Sequence, residues 1–494
     1  MLAASLLQVG MMASAGVAGK VGQEAFASHA EALKTEMVLE NQISALKRQS
    51  ILAFQKGQRE AGQRLNEEAG KLTREREKFI QELQQKNPRY AAICQPQPVT
   101  PTQVPLASGE YLLRYKVTDA ALLAWLVKDG GLVQAARVPV SRETLRQKVQ
   151  QYLAPLHEVR TQAQLERYDP ALAKELYDLL LKPLAPQISG VGQLVIITDD
   201  ILEVLPFESL VIEAPARVEM AAGQFGPQPR GLKYVADQFK VSYYYSATSL
   251  KLMRQARIER GASSSLFMMA DPGARGSAPG PQGEVQRRLM SLAQKGDWRN
   301  LQDQFKPLPY TMELAEKLKV LFPDARILVG TEANKQNLTG IEKHRYLVFA
   351  THGILAKELP YLLEPALLLA GESGPPEELR PRGFLTMSDV MKLELNCDNA
   401  TLTACSTGLG RRASGEGVMS LGWAFQYAGA KSVLVSLWKV EEKSTILLAN
   451  QFFEKLKAGK DKLTALHEAR AELRRQGYEH PFYWAAFILI GEKI

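Results

Sequence analysis

One histidine and one cysteine in this sequence each follow a short apolar run that predicts a buried β-strand. Residues 346–350 are closely followed by His352, and residues 400–404 run directly into Cys405. A cysteine nucleophile needs a nearby base that removes its proton and generates the thiolate. In an open α/β sheet, reactive residues gather at the carboxyl ends of the strands, which would bring this imidazole within reach of the thiol. The two residues are therefore candidates for a catalytic pair.

Gly353 would leave room beside the histidine for a substrate backbone. Its N–H group, together with that of Cys405, is predicted to form an oxyanion hole. Taken alone, each candidate is more often structural, because most histidines are satisfied within a fold and most buried cysteines act as small hydrophobes. The pair is favoured because the histidine lies about 50 residues before the cysteine, as in caspases, although the caspase motif around the cysteine is replaced by Thr403-Ala404-Cys405-Ser406.

The elements that must position this pair read as an α/β fold with a mostly parallel sheet flanked by helices. The apolar runs are typical of strands buried on both faces, and helical segments lie between them. Both features support this class. A hairpin is predicted around Asp129-Gly130-Gly131, and a Gly- and Pro-rich loop at residues 273–282 suggests a boundary. The predicted strands are 111–117, 122–127, 132–138, 194–198, 239–245, 327–329, 346–350, 366–369, 401–403 and 432–437.

The N-terminal region reads as a helical arm followed by a linker. Strong helix formers dominate residues 31–85, with a break predicted between Gly57 and Gly62. A helical hairpin is the first interpretation, and a dimerising coiled coil or the end of a longer helical region are alternatives. Five prolines between residues 88 and 105 mark the linker.

Composition excludes several other classes of protein. The chain has 494 residues, 46% hydrophobic residues and a formal net charge of +8, as expected for a globular protein without a strong signal for nucleic-acid binding. Its three cysteines form no metal-binding pattern and favour a reducing, cytoplasmic setting. No apolar run predicts a membrane span, and the glycines between 408 and 417 lack the lysine of a phosphate loop. No metal or organic cofactor is implied.

Several motifs, in the order of the chain, resemble the CHAT domain, a caspase-like domain that often follows tetratricopeptide repeats and is distantly related to separases. They are Asp199, Leu205-Pro206-Phe207-Glu208, Ala270-Asp271-Pro272, Ala350-Thr351-His352-Gly353, Thr403-Ala404-Cys405-Ser406-Thr407-Gly408, Gly415-Glu416-Gly417, Ala428-Gly429-Ala430, Ser436-Leu437-Trp438-Lys439-Val440 and, as the family's closing strand, His480-Pro481-Phe482-Tyr483-Trp484-Ala485-Ala486-Phe487. The arm lacks the tetratricopeptide signature, and Glu442 stands where the family usually has an aspartate.

Composition predicts a helical arm at 1–87 and a Pro-rich linker at 88–108. The resemblance implies a degenerate caspase-like half at 109–262 and an active half at 263–494. It implies a cysteine endopeptidase that cleaves a protein partner, with His352 and Cys405 as the dyad. We expect gating by the arm or by an activating protein bound to it, no direct nucleic-acid or membrane partner, and a role in bacterial signalling or defence. The alternative is a catalytically silent scaffold for signalling contacts; a small-molecule hydrolase or acyltransferase is a third class without a supporting motif.

Substrate-binding residues are expected near the end of the strand that precedes Trp438. Ser436 and Trp438 are candidates for pairing with an extended peptide by strand addition. Glu442 is a candidate for the pocket that selects the substrate side chain. Glu441 and Asp389 are weaker candidates for the same pocket, because such carboxylates are more often surface charges.

Overall fold

The computed structural model describes the larger part of the chain. The described residues fall into two compact units, Met1–Pro98 and Val99–Ile494. The described ranges are 58–86, 99–157, 159–188, 192–255, 265–271, 308–354, 365–370, 383–403 and 416–494, with the single residues Leu39, Gln42, Ile43, Leu46, Ser50 and Ala53.

The first unit contains one long described helix, α1 (Arg59–Lys86). It begins inside the interval in which the sequence predicts a break. Before that break, Leu39, Ile43 and Ala53 are also helical. The buried hydroxyl of Ser50 donates to the carbonyl of Gly62, in the first turn of α1, at 2.8 Å. The helical-hairpin interpretation of the arm stays a prediction.

The second unit is built around a large sheet, with helices between many of its strands along the chain. The strands are β1 (Glu110–Val117), β2 (Leu122–Lys128), β3 (Gly131–Val138), β4 (Gln193–Ile197), β5 (Val211–Glu213), β6 (Met220–Gly223), β7 (Gly226–Pro229), β8 (Lys233–Tyr234), β9 (Lys240–Tyr243), β10 (Leu266–Ala270), β11 (Arg326–Val329), β12 (Tyr346–Ala350), β13 (Gly353–Ile354), β14 (Ala366–Leu368), β15 (Phe384–Thr386), β16 (Asn399–Leu402), β17 (Ser432–Ser436) and β18 (Phe487–Gly491). The further helices are α2 (Arg142–His157), α3 (Pro170–Leu180), α4 (Ala185–Ile188), α5 (Ala247–Gln255), α6 (Pro309–Leu321), α7 (Met387–Val390), α8 (Glu416–Tyr427), α9 (Glu442–Lys457), α10 (Lys462–Arg475) and α11 (Pro481–Trp484).

Eleven of the described strands form one sheet in the order β11-β10-β12-β16-β17-β18-β9-β4-β1-β2-β3. Seven of its ten described pairings are parallel, and three are antiparallel. Strands β12, β17 and β18 are buried along their whole length, as expected for strands covered on both faces. The predicted α/β class with a mostly parallel sheet is confirmed.

The hairpin predicted between the second and third strands is also confirmed. Strands β2 and β3 pair antiparallel around Asp129 and Gly130. Both residues have positive φ angles, 48° and 74°. Glycine and aspartate tolerate this left-handed region better than most residues, which is why they are typical of tight hairpin turns.

Two predictions about strands are wrong. The run 366–369 does not join the large sheet, because β14 pairs antiparallel with β13 and β15 in a separate three-stranded sheet. The motif that begins at His480 is not a closing strand. Pro481 starts the short helix α11, in which the amide of Phe482 donates to the His480 side chain, and the strand β18 begins only at Phe487.

A buried ion pair joins the early and late strands of the large sheet. Arg470 of α10 and Glu208 are 3% and 0% exposed at their side chains, and their charged groups are 2.8 Å apart. The hydroxyl of Tyr243, in β9, donates to the same carboxylate. The guanidinium of Arg470 also donates to the carbonyl of Phe487. None of the helices in the described ranges is long and apolar enough to cross a bilayer.

Candidate active site

The ends of β12 and β16 form the edge of the sheet at which the candidate histidine lies. The two strands are parallel neighbours, and Phe349 pairs with Leu402. Just beyond this pair, the amide of Thr403 donates to the Phe349 carbonyl at 3.2 Å. His352 is half-buried, two residues beyond the end of β12. Cys405 lies outside the described residues.

Residues 351–353 are bound to strand β14 of the small sheet. The amide of Leu368, at the end of β14, donates to the His352 carbonyl at 2.8 Å. The buried hydroxyl of Thr351 donates to the Leu368 carbonyl at 2.5 Å. Gly353 is buried in β13 and pairs with Leu367. The histidine therefore sits in the short connection between the large and the small sheet.

Ser436 and Trp438, predicted to contact substrate, have buried side chains that bond within the protein. The hydroxyl of Ser436, at the end of β17, donates to the carbonyl of Trp438 at 2.6 Å. The indole N–H of Trp438 donates to the Phe482 carbonyl at 3.0 Å, and its ring lies against that of His157, with centroids 5.6 Å apart. Both side chains are 1% exposed. Their contribution in this structure is to fix the turn after β17.

Glu442, the third substrate-binding candidate, lies at the first position of α9 and is half-buried. Its carboxylate accepts the amide of Tyr310, in the first turn of α6, at 2.8 Å. Burial raises the pKa of Glu442 above its usual value; the amides of Tyr310 and Thr311 lower it, and the nearby carboxylate of Asp271 raises it further. Glu442 thus caps one helix from the start of another.

The two weaker acidic candidates also act as caps. Glu441 precedes α9 and accepts the amide of Ser444 at 2.9 Å. Asp389 lies 2.7 Å from the ammonium of Lys335 and accepts the amide and hydroxyl of Thr386. Burial alone would raise the pKa of Asp389, but the contacts with Lys335 and Thr386 outweigh it and hold the pKa below its usual value.

Two residues at this edge were given no role from the sequence. Thr351 was seen only as part of a motif, because its contact with Leu368 joins positions 17 residues apart. Asp271 directly follows β10 and has a φ of 34°, in the left-handed region that non-glycine residues rarely adopt. Its amide donates to the Ala350 carbonyl at 3.1 Å, which ties the end of β10 to the end of β12. An alternation of charge or hydrophobicity could not have revealed either contact.

Cys397 is the free cysteine among the described residues, and it is buried. Burial raises the pKa of its thiol to about 12. Such a thiol carries almost no thiolate at neutral pH. Cys397 is therefore a structural residue rather than a nucleophile in this fold.

Comparison with known proteins gives one family and several distant similarities. The model of the CHAT domain family matches residues 170–492. Tetratricopeptide repeat protein 28 from human is 34% identical over 112 residues, a stretch covering 22% of this chain and 4% of that protein. The mouse protein of the same name is 32% identical over 112 residues. The match thus spans about 4% of the length of these relatives, and their origin gives no support to the expected bacterial setting.

Comparison with solved structures gives two distant similarities. The Saccharomyces cerevisiae separase–securin complex has a TM-score of 0.40 and 11% identity, covering 78% of this chain and 30% of that chain. The Arg-specific cysteine proteinase gingipain R has a TM-score of 0.37 and 10% identity, covering 71% of this chain and 73% of that chain.

Proposed function

Since this chain belongs to the CHAT domain family, we propose that it is a cysteine endopeptidase that cleaves a protein partner through Cys405 and His352. The family supplies the expectation of a peptidase-type site. The neighbouring ends of β12 and β16 support a site near His352.

The observation that carries the proposal is the register of β12 and β16. Paired residues of these parallel strands differ by 53 in number, as Phe349 and Leu402 do. His352 and Cys405 also differ by 53. If the same register continued past the strand ends, His352 and Cys405 would lie opposite each other. This supports their action as one pair.

In the proposed reaction, His352 takes the proton from the Cys405 thiol as the sulfur attacks the scissile carbonyl carbon. The N–H groups of Gly353 and Cys405 stabilise the oxyanion of the tetrahedral intermediate. When the C–N bond breaks, His352 gives its proton to the leaving amine, and a thioester remains. Water, deprotonated by His352, then hydrolyses the thioester and restores the thiol.

Substrate binding and gating are part of the same proposal. Because the side chains of Ser436 and Trp438 are buried, any contact they make with a peptide uses main-chain groups, as in strand addition. The helical arm is a separate compact unit, and we assign to it, or to a protein bound to it, the control of activity. A reducing, cytoplasmic setting would keep the nucleophile reduced.

Cleavage of a diverse peptide library, read by mass spectrometry, tests the proposal. Wild type is compared with Cys405→Ala and His352→Ala, and Cys397→Ala is the matched cysteine control. We expect cleavage by wild type and Cys397→Ala and none by the other two variants. Equal cleavage by Cys405→Ala would refute the dyad. No cleavage by any form, even with candidate partner proteins added, would refute the peptidase and favour the scaffold.

A further inference from the structure

The main chain of Leu368 bonds to two consecutive residues at the candidate base, Thr351 and His352. Leu368 accepts from the Thr351 hydroxyl at 2.5 Å and donates to the His352 carbonyl at 2.8 Å. Thr351 is 2% exposed and Leu368 is 3% exposed. Water is therefore kept from the bond between Thr351 and Leu368, and breaking that bond carries a desolvation cost.

Leu368 is itself held by the small sheet. Strand β14 pairs with β13 on one side and β15 on the other. Beyond β14, the amide of Ala370 donates to the Ala333 carbonyl at 2.7 Å. Beyond β15, the ion pair of Asp389 with Lys335 ties the start of α7 to the segment that follows β11. The small sheet is thus fixed to the rest of the unit at both ends.

We propose that Thr351 is a positioning residue for His352: its hydroxyl, through Leu368, sets the direction in which the imidazole leaves the end of β12. This inference rests on the proposed Cys405–His352 dyad. Thr351 itself touches neither substrate nor reacting atoms. Its effect is geometric, because a base displaced by about 1 Å from its nucleophile can lose about two orders of magnitude in rate.

Alternative roles for this hydroxyl predict different results. A threonine that only stabilises the fold would lower stability when replaced, with no specific effect on the thiol. Thr401 offers a matched control in the neighbouring strand β16. Its hydroxyl is also buried and donates to the Asn399 side chain at 2.7 Å, and neither residue is bound to the His352 peptide in the described contacts.

The test measures the pKa of the Cys405 thiol in the full chain, without any substrate. Alkylation by iodoacetamide is followed from pH 5 to 10, and the Cys405 peptide is quantified by mass spectrometry. The forms compared are wild type, His352→Ala, Thr351→Val, Thr351→Ser and Thr401→Val. Where a cleaved peptide is available, kcat and KM are measured for the same set.

We expect His352→Ala to raise the thiol pKa, because the thiolate loses its imidazolium partner. Thr351→Val should raise it in the same direction and slow alkylation at pH 6.5 about tenfold. Its kcat should fall by about one to two orders of magnitude with KM within about twofold. Thr351→Ser keeps the hydroxyl and should behave like wild type, and Thr401→Val should keep the wild-type thiol pKa.

The outcomes separate this inference from the function on which it rests. If His352→Ala leaves the thiol pKa unchanged, the dyad itself is refuted. If His352→Ala raises it but Thr351→Val does not, the dyad stands and the positioning role is refuted. An equal effect of Thr401→Val and Thr351→Val would also refute it, because a general loss of packing would then explain both.

Discussion

His480 provides the sharpest prediction about stability, because its ring is buried in one defined protonation state. The side chain is 1% exposed. Its Nε2 lies 3.1 Å from the Leu165 carbonyl, which can only accept, so Nε2 carries the proton. Its Nδ1 accepts the amide of Phe482 at 3.1 Å. A second proton on Nδ1 would face that N–H group, and the bond would be lost.

Burial lowers the pKa of His480 to about 3, although its bond to the Leu165 carbonyl opposes the shift. Burial likewise lowers the pKa of His157 to about 4. The unfolded chain, with a histidine pKa of about 6.5, therefore takes up protons before the folded chain does. Stability must fall as the pH drops below about 6.5. At pH 5, about 1.5 pH units below that value, each histidine lowers the free energy of unfolding by about 2 kcal/mol.

The assay is urea unfolding at pH 7.5 and pH 5.0, followed by tryptophan fluorescence and circular dichroism. His480→Asn should be less stable than wild type at pH 7.5 by about 1–3 kcal/mol, because the Leu165 carbonyl stays buried without its donor. On acidification it should lose about 2 kcal/mol less than wild type, since one titrating group is gone.

Gln228→Ala is the matched control for this prediction. The Gln228 side chain accepts the main-chain amide of His480 at 2.6 Å, so its loss disturbs the same place without removing a titrating group. Its destabilisation should be equal at both pH values. If His480→Asn and wild type lose the same stability between pH 7.5 and 5.0, the assigned protonation state is wrong.

Three further predictions concern other buried groups. Arg470→Met should lower the free energy of unfolding by about 3–5 kcal/mol, because Glu208 would remain buried without its cation; a loss below about 1 kcal/mol in urea titration would contradict this. Gly491→Ala should cost about 2–4 kcal/mol in the same assay, because its φ is 104° and a Cβ would lie 2.4 Å from the Gln426 side chain. Cys397 should resist iodoacetamide in the folded protein at pH 7.5 and react only in urea, so rapid native labelling, seen by mass spectrometry, would disprove its burial.

Sequence patterns predicted which segments are buried better than they predicted which strands pair with each other. The run 346–350 matches β12 residue for residue, because an apolar stretch between polar ends can only be buried. The run 366–369 is equally apolar, yet it belongs to a different sheet. Strand β10 was not among the predicted strands, although all its residues are buried. Burial follows from the residues themselves, whereas pairing depends on distant segments.

The same limit applies to the candidate site. The position of His352 at a strand end follows from local sequence, and the structure places it there. The contact of Thr351 with Leu368 could not be predicted, because it depends on how the small sheet docks. His480 was predicted to lie in a strand. The neighbouring Pro481 is a signal against this, since proline favours the first turn of a helix. The partnership of His352 with Cys405 stays a prediction.

The place of β18 has a consequence for synthesis of the chain. Of the strands in the large sheet it is the last to leave the ribosome, yet it lies between β17 and β9 in the middle of the sheet. Until it inserts, both neighbours present unpaired edges that invite association with other chains. Nascent chains halted before residue 487 should therefore aggregate or recruit chaperones, because the sheet is completed by insertion at its centre rather than by addition at its rim.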